Sequence, residues 1–543
     1  MNAVDSGSVR KKGVRNQVKP GAVLRLLLAV LLGKLVAFCC RLFRYPGTSL
    51  PGHTALKVFP RLVEHLAGGY QKVIAVTGTN GKTTTANLIA HVLREAGFRV
   101  AHNSEGANML PGVAAALLRD CDLLGRISSQ VAVLEVDEGS VGKVFAAARP
   151  DLVVVTNYFR DQLDRYWELE RTTGLLREAV SKLPGVTLVL NADDPLVAAV
   201  GRGQEQVLYY GVEEQSCTGS LFTEEPVPAN SGKGHDWSAL CEVVSGDRLI
   251  SGGGIAEIFG ETREGRFCSF CGSPLTYRCY HYGQLGDYSC PECGYRRPRP
   301  DFAASGVKCG EGRLSFTLSV FRSEDSFISL LGKIDTFSNR GGYGRERHQV
   351  EAPLRGFYNT YNLLAAAAAV LTLGVSPATL QKAVSTYTPA TGRMEEFFLA
   401  GRRCTLALVK NPVGANQVLR TVKESRASKA LVIAINDLAA DGRDVSWLWD
   451  ADFALLADPS VVRIICSGRR AADLAVCLKY SGVDTGKIAV VPEQEESLKL
   501  LSQEEAGEFY VLATYTNLFT YARLLRLGKV VADSEAQGLP SLS

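Results

Sequence analysis

No part of this 543-residue chain runs uninterrupted through the roughly 18–20 apolar residues that a membrane span requires. The nearest approach is Ala22–Phe43, rich in Leu, Val and Ala but broken by Arg25, Lys34 and Arg41. Its apolar core is followed by no small-x-small cleavage site before Arg41, as a secretory signal would need. The body of the chain also lacks a basic surplus. A net charge of +4 arises at the N-terminus, where residues 1–50 hold nine Lys or Arg against one acid, Asp5. The remainder is slightly acidic, which argues against general nucleic-acid binding. No cysteine stands in a Gly-x-Cys-x-Gly elbow, and none of the seven histidines is placed beside one. The chain therefore shows no glutaminase-type nucleophile of its own.

What is present describes a large multidomain protein. A hydrophobic content of 46% with 21% charged residues is ordinary for a soluble globular chain. At ~150 residues per domain, the length suggests three or four folded units. Residues 1–50 read as a basic extension and an amphipathic helix lying against anionic lipid, with a plain packing helix or a span as the other readings. Of the fourteen cysteines, Cys39, Cys40, Cys121, Cys217, Cys241, Cys404, Cys466 and Cys477 are scattered in apolar contexts and read as free thiols. Cys268-x-x-Cys271 and Cys290-x-x-Cys293, eighteen residues apart, have the knuckle spacing of a tetrahedral Zn²⁺ ribbon. Gly272 and Gly294 follow the second cysteine of each knuckle, where a tight turn is needed. Cys279, His281 and Cys309 lie nearby without paired spacing. Four thiolates leave no open coordination position, so the expectation is a structural staple inserted at about 262–302.

Residues 77–85 read Thr77-Gly78-Thr79-Asn80-Gly81-Lys82-Thr83-Thr84-Thr85, after the apolar run Val73–Val76 and before a helix expected over Ala86–Glu95. Glycines 78 and 81 let the backbone of Gly78, Thr79, Asn80, Gly81 and Thr84 close around the phosphates of ATP. Lys82 can reach the outer phosphates, and Thr83 can ligate the accompanying Mg²⁺. The commonest phosphate loop has a glycine where this chain has Val76. Downstream, strand and helix alternate as a parallel sheet requires. Val131–Leu134 ends in Glu135-Val136-Asp137-Glu138, and Glu135 is the expected Mg²⁺ carboxylate, direct or through another ligand, ahead of Asp137 and Glu138. Leu152–Val155 runs into Thr156-Asn157. Val186–Leu190 runs into Asn191-Ala192-Asp193-Asp194-Pro195, where Asn191 and Asp194 suit adenine or ribose. A Pro-initiated helix explains the same residues without a ligand. After a linker at Thr388–Gly392, buried strands are expected at Cys404–Val409, Ala430–Ile435, Arg463–Cys466, Ile488–Val491 and Phe509–Ala513.

These motifs carry a resemblance. The phosphate loop, Asn103–Asn108, Glu135–Gly139, Asn191–Pro195, Phe357-Tyr358-Asn359-Thr360-Tyr361-Asn362 and Gly392-Arg393-Met394-Glu395 resemble the Mur ligase central domain. With the cysteine ribbon and the run Asn436–Trp447, residues 34–525 resemble the MurT family, the ATP-using subunits of lipid II isoglutaminyl synthase. The resemblance implies an α/β fold: a Mur ligase-type P-loop central domain over 51–390 and a C-terminal α/β domain over 391–543. It implies a heterodimer with a GatD-type glutamine amidotransferase, and amidation of the D-glutamate α-carboxyl in the lipid II stem peptide. The carboxylate would be activated as an acyl phosphate, with Lys82 and Glu135 at the reacting phosphoryl, and the work done in the cytoplasm at the inner face of the membrane. Asp444 would orient the histidine of the partner's Cys-His pair, with Asp437 and Asp441 as rivals and a simple acidic turn as the plain reading. Arg393 would span the domain cleft, and Lys410 is placed near nucleotide by position. The chain departs from the amino-acid-adding ligases at Arg160-Asp161-Gln162, where they carry a metal-binding His, so a second metal site stays open. Two other readings compete: a stand-alone ligase that adds an amino acid, and a zinc-ribbon NTPase acting on nucleic acid.

Overall fold

The run Val73–Val76 is apolar at every position because both of its faces are covered. In the computed structural model it forms β1 (Lys72–Thr77), the seventh strand of a nine-stranded sheet. The structure describes residues 20–527 apart from 44, 46, 104–106, 161–168, 214–249, 252–264, 311 and 323–343. Ile74 and Val76 point into one core, shared with helices Lys82–Glu95 and Tyr358–Thr372. Val73 and Ala75 point into the other, shared with helices Leu110–Asp120 and Val141–Ala148. A strand sandwiched in this way reads as a continuous hydrophobic run, which is why the parallel strands were legible.

The sheet contains β2 (Val100–His102), β3 (Val131–Glu135), β4 (Leu152–Val155), β5 (Thr187–Asn191) and β6 (Val207–Val212). Its order is β12-β11-β10-β6-β5-β4-β1-β3-β2, parallel from β2 through β10. Strands β11 (Arg313–Arg322) and β12 (Gly344–Ala352) then extend β10 (Phe302–Gly310) as an antiparallel meander. Between β6 and β10 sits the cysteine insertion, with β7 (Ile250–Ser251), β8 (Thr276–Tyr282) and β9 (Leu285–Ser289). Cys268, Cys271, Cys290 and Cys293 bring their four sulfurs within 4.8 Å of one another. Among the described residues, Cys279, His281 and Cys309 stay out of this group.

The C-terminal domain has its own sheet, in the order β13-β14-β18-β15-β16-β17. It comprises β13 (Arg393–Leu399), β14 (Arg402–Leu408), β15 (Lys429–Ala434), β16 (Val461–Ser467), β17 (Ile488–Val490) and β18 (Glu508–Ala513). All five expected strands are present, and the hairpin strand β13 is added along the edge.

The N-terminal helix, Pro20–Leu42, corrects one expectation. An amphipathic helix has one polar face, and this one does not. Leu26, Ala29 and Val30 are buried in the core shared with helices Leu50–Val58 and Leu110–Asp120. The opposite side is also apolar, and exposed. Lys34 reaches back to donate to the Leu118 carbonyl at 3.0 Å. The basic segment 1–19, Cys217 and Cys241 lie outside the described residues.

Candidate active site

Strand β1 lies where the strand order turns, with β3 on one side and β4 on the other. In open α/β sheets the crevice at the carboxyl ends of such strands is where ligands bind. The phosphate loop fills that position and is held by the end of β4. Thr79 N donates to Asn157 O at 2.8 Å, and Asn80 N donates to Asn157 Oδ1 at 2.9 Å. Thr156 Oγ1 and Asn157 Nδ2 donate to Asn80 O at 2.8 and 3.1 Å. Gly78 has φ +126°, and a Cβ there would sit 2.3 Å from Thr156 Oγ1, so only glycine fits. Gly81, at φ +84°, caps a helix that starts at Lys82, one turn before the expected Ala86. Lys82, Thr83 and Thr84 therefore belong to the helix's first turn, at its positive dipole end.

Lys82 is buried and fully engaged. Its Nζ donates to Gly78 O, to Thr79 O at 3.2 Å and to Glu138 Oε2 at 2.8 Å. Burial pulls the ammonium pKa down, but the carboxylates of Glu138, Asp137 and Glu135 outweigh it and hold the pKa above its ordinary value. Glu138, ranked behind Glu135 from sequence, is thus the direct partner of the lysine. Glu135 has a different environment. Asn103 holds its backbone, accepting from Glu135 N at 2.8 Å and donating to Glu135 O at 2.8 Å. Asn108 Nδ2 donates to Oε1 at 3.2 Å. The other oxygen, Oε2, is buried with no hydrogen-bond partner among the described residues. A buried carboxylate oxygen is normally satisfied, so this orphan suits a cation. Residues 104–106, between those two asparagines, lie outside the described set.

Asn191 and Asp194, expected at adenine or ribose, are placed elsewhere. Asn191 donates to Thr156 O at 2.9 Å and accepts from Asp193 N at 3.0 Å. Asp194 caps helix Pro195–Val200, with Oδ1 accepting from Leu196 N at 3.0 Å and Oδ2 from Tyr158 N at 2.8 Å. Burial pushes its pKa up to about 6 against the opposing hydrogen bonds from Tyr158 N, Gln284, Leu196 N and Val197 N. Neither residue lines the cleft. The Pro-initiated helix is what the geometry carries. Gln284, on the β8–β9 hairpin, donates to Asp194 Oδ1 at 3.1 Å and to Tyr158 O. Arg297, after the last knuckle, pairs with Asp193, whose Oδ2 accepts from Tyr361 OH at 2.7 Å. The insertion is thereby tied into the floor of the nucleotide domain.

The two domains meet over the loop, around a small cleft of about 70 Å³. A β-bulge opens β13: its register shifts between Arg393 and Glu395, and Met394 takes φ +59°. That kink lets Arg393 Nη2 donate to Thr83 Oγ1 at 3.2 Å, so the arginine does span the cleft. Asn80 and Asn411 exchange reciprocal amide bonds of 3.3 and 3.0 Å, which no sequence spacing advertises. Lys410 lines the same cleft, as does Gln417, whose Nε2 is buried without a hydrogen-bond partner among the described residues. Arg160 pairs with Asp450 at 3.2 Å, while Asp161 and Gln162 lie outside the described residues.

The three C-terminal aspartates differ in what they hold. Asp437 is gripped by Arg469 and Arg470 at 3.0 and 2.9 Å. Asp441 is buried, and its two oxygens accept from Thr516 N and Oγ1 at 2.7 and 2.6 Å. Asp444 is half-buried and, among the described residues, accepts only from Ser446 N, at 2.9 Å, through Oδ1. In the short helical segment that follows, Trp449 is 61% exposed and packs against exposed Tyr480.

The chain is similar to known proteins over nearly its whole length. A family model described as "MurT ligase C-terminal" matches residues 408–518, and one described as "Mur ligase middle domain" matches 76–233. Subunit MurT of the glutamine-hydrolysing lipid II isoglutaminyl synthase of Staphylococcus aureus is 31% identical over 495 residues, 91% of this chain and 96% of the relative. The Streptococcus pneumoniae counterpart is 30% identical over 509 residues, 94% of this chain and 98% of its own. Among solved structures, a pseudomurein peptide ligase type C from Methanothermus fervidus superposes with TM-score 0.59 at 21% identity, covering 86% of this chain and 79% of that one. MurF from Acinetobacter baumannii gives 0.55 at 16%, covering 90% and 81%. These two establish the shared Mur ligase-like architecture.

Proposed function

Because the chain belongs to the MurT family, the ATP-using subunits of lipid II isoglutaminyl synthase, we propose that it activates the D-glutamate α-carboxyl of the lipid II stem peptide as an acyl phosphate for amidation to D-isoglutamine. As such it is a carbon–nitrogen ligase subunit in peptidoglycan synthesis, with glutamine as the nitrogen donor. The observation that carries the mechanism is the orphan Glu135 Oε2 beside the buried Lys82–Glu138 pair, at the carboxyl end of β3. Lys82, Thr83 and Glu135 fit a nucleotide phosphate with Mg²⁺, and the loop Gly78–Thr84 supplies the surrounding backbone donors. Bound there, Mg²⁺ would neutralise charge on the transferring phosphoryl group. Lys82 stabilises the same charge, and Arg393 draws the C-terminal domain over Thr83 to exclude water. Ammonia is mostly protonated at neutral pH, so an enclosed supply from a glutaminase suits the second step. The chain has no elbow cysteine, and a GatD-type partner fills that need. Asp444, with one oxygen uncommitted among the described residues, supports the role of orienting the partner's histidine better than Asp437 or Asp441. The lipid-linked substrate places the work at the inner face of the membrane.

The test mixes the chain with ATP, glutamine, lipid II and the glutaminase, then weighs the muropeptide. Conversion of one carboxyl to an amide is expected. An unchanged carboxyl with the partner bound would overturn the reading, and turnover with a free amino acid and no glutaminase would point to a stand-alone ligase.

The four cysteines fit Zn²⁺. Tetrahedral coordination at about 2.3 Å sets sulfur–sulfur edges near ~3.8 Å. Here Cys268–Cys293 and Cys271–Cys290 stand at 3.5 and 3.4 Å. The metal would act as a staple, holding the hairpin whose Gln284 supports Asp194. Metal analysis of the purified chain is expected to find one zinc per chain. A strong chelator, or Cys271→Ser, is expected to lower the melting temperature by several degrees, since a ligand bound only to the folded state stabilises it. A metal-free chain with unaltered melting would remove zinc from the account.

A further inference from the structure

The N-terminal helix presents two apolar faces, and the fold covers one. Gly33 and its buried neighbours Leu26, Ala29 and Val30 lie against helices Leu50–Val58 and Leu110–Asp120, where a Cβ on Gly33 would come 2.7 Å from Leu118 Cδ1. On the opposite side Leu24, Leu28, Leu31, Leu35, Phe38 and Leu42 are 45–70% exposed. Their spacing alternates four and three, which at 100° per residue gathers them into an arc of about 80°. A stripe of this kind is more than scattered surface leucine, and it marks a contact surface.

We propose that this stripe docks in the plane of an anionic phospholipid bilayer. Charge selects the occupant. Arg25 and Arg41 flank the stripe, both exposed and without ion pairs among the described residues, and the first fifty residues carry nine Lys or Arg against one acid. Two copies of the chain joined through this stripe would bring those charges together, whereas an anionic surface attracts them. By length and mean hydropathy alone, and despite the charges that interrupt it, Val23–Leu42 passes for a span, but its inner face is already packed on the body. A crossing would strip that packing away, so the helix lies on the lipid with its outer face buried. The inference rests in part on the proposed function, whose substrate is lipid-anchored.

The test floats the full-length chain with vesicles of phosphatidylglycerol and phosphatidylcholine, and with phosphatidylcholine alone. The wild-type chain is expected to float with the anionic vesicles, and added salt to weaken the binding. Leu31→Glu/Leu35→Glu is expected to lower partitioning on the order of 100-fold. Its melting temperature should not change, because both positions face outward. A chain that stays in solution with both vesicle types overturns the proposal. So does a wild-type dimer, seen by light scattering, that the double variant dissolves. Amidation of a water-soluble stem-peptide fragment separates the two readings: the variant should match wild type there, and failure of both proteins would count against the proposed function alone.

Discussion

Lys82→Met is expected to lower ATP-dependent amidation on the order of 10³-fold or more, because it removes the fixed cation from the transferring phosphoryl group. The same change also destabilises the fold, for a separate reason. The Lys82–Glu138 pair is 2.8 Å long, with side chains 8% and 3% exposed. Removing one partner of a buried pair leaves an uncompensated charge, at a cost of about 3–5 kcal/mol. Lys82→Met/Glu138→Gln should recover most of that stability and none of the turnover. Comparing melting curves with initial rates for the single and double variants separates the two effects. Turnover of Lys82→Met within about tenfold of wild type would exclude the lysine from the chemical step.

Asp444→Asn is expected to separate the two nitrogen sources. Glutamine-driven amidation by the complex should fall by roughly 10²–10⁴-fold, the scale of a lost acid–base arrangement. Amidation driven by ammonium chloride at alkaline pH should persist, because free ammonia bypasses the glutaminase. The variant keeps the acceptor for Ser446 N, so the turn survives. Asp441→Asn disturbs the two bonds to Thr516 instead, and should show its effect in stability. Equal loss of both nitrogen sources in Asp444→Asn would refute the orienting role.

Much of the fold was legible because its strands are buried on both faces. Val131–Leu134 and Leu152–Val155 could be read directly, and so could the five C-terminal strands. Strand β12, Gly-Arg-Glu-Arg-His-Gln-Val-Glu-Ala, was not, since an edge strand needs backbone partners on one side only and carries few apolar residues. The phosphate loop was readable because glycine positions encode its backbone. Its supports were not. Asn103, Asn157 and Asn411 act through neutral amides, which leave no charge pattern or spacing in a sequence. Asp194 misled for the converse reason, because an acid at a strand end looks the same whether it meets a ligand or caps a helix. The N-terminal helix misled through averaging. Hydropathy along a segment cannot say which of two apolar faces the rest of the chain covers.

The Asn80–Asn411 pair joins a loop residue to one 331 positions away, and neither side chain titrates or is screened by salt. Its neighbour, the Arg160–Asp450 bridge, weakens as ionic strength rises. Within this seam the amide pair is therefore a tie that persists across solution conditions, and it responds chiefly to movement of the loop. Thermodynamic linkage makes such a tie reciprocal. A ligand that resets Asn80 alters the standing of the C-terminal domain by some free energy, and whatever steadies that domain returns the same amount to the loop. A protein bound to the C-terminal domain would thus tune nucleotide affinity without touching the nucleotide.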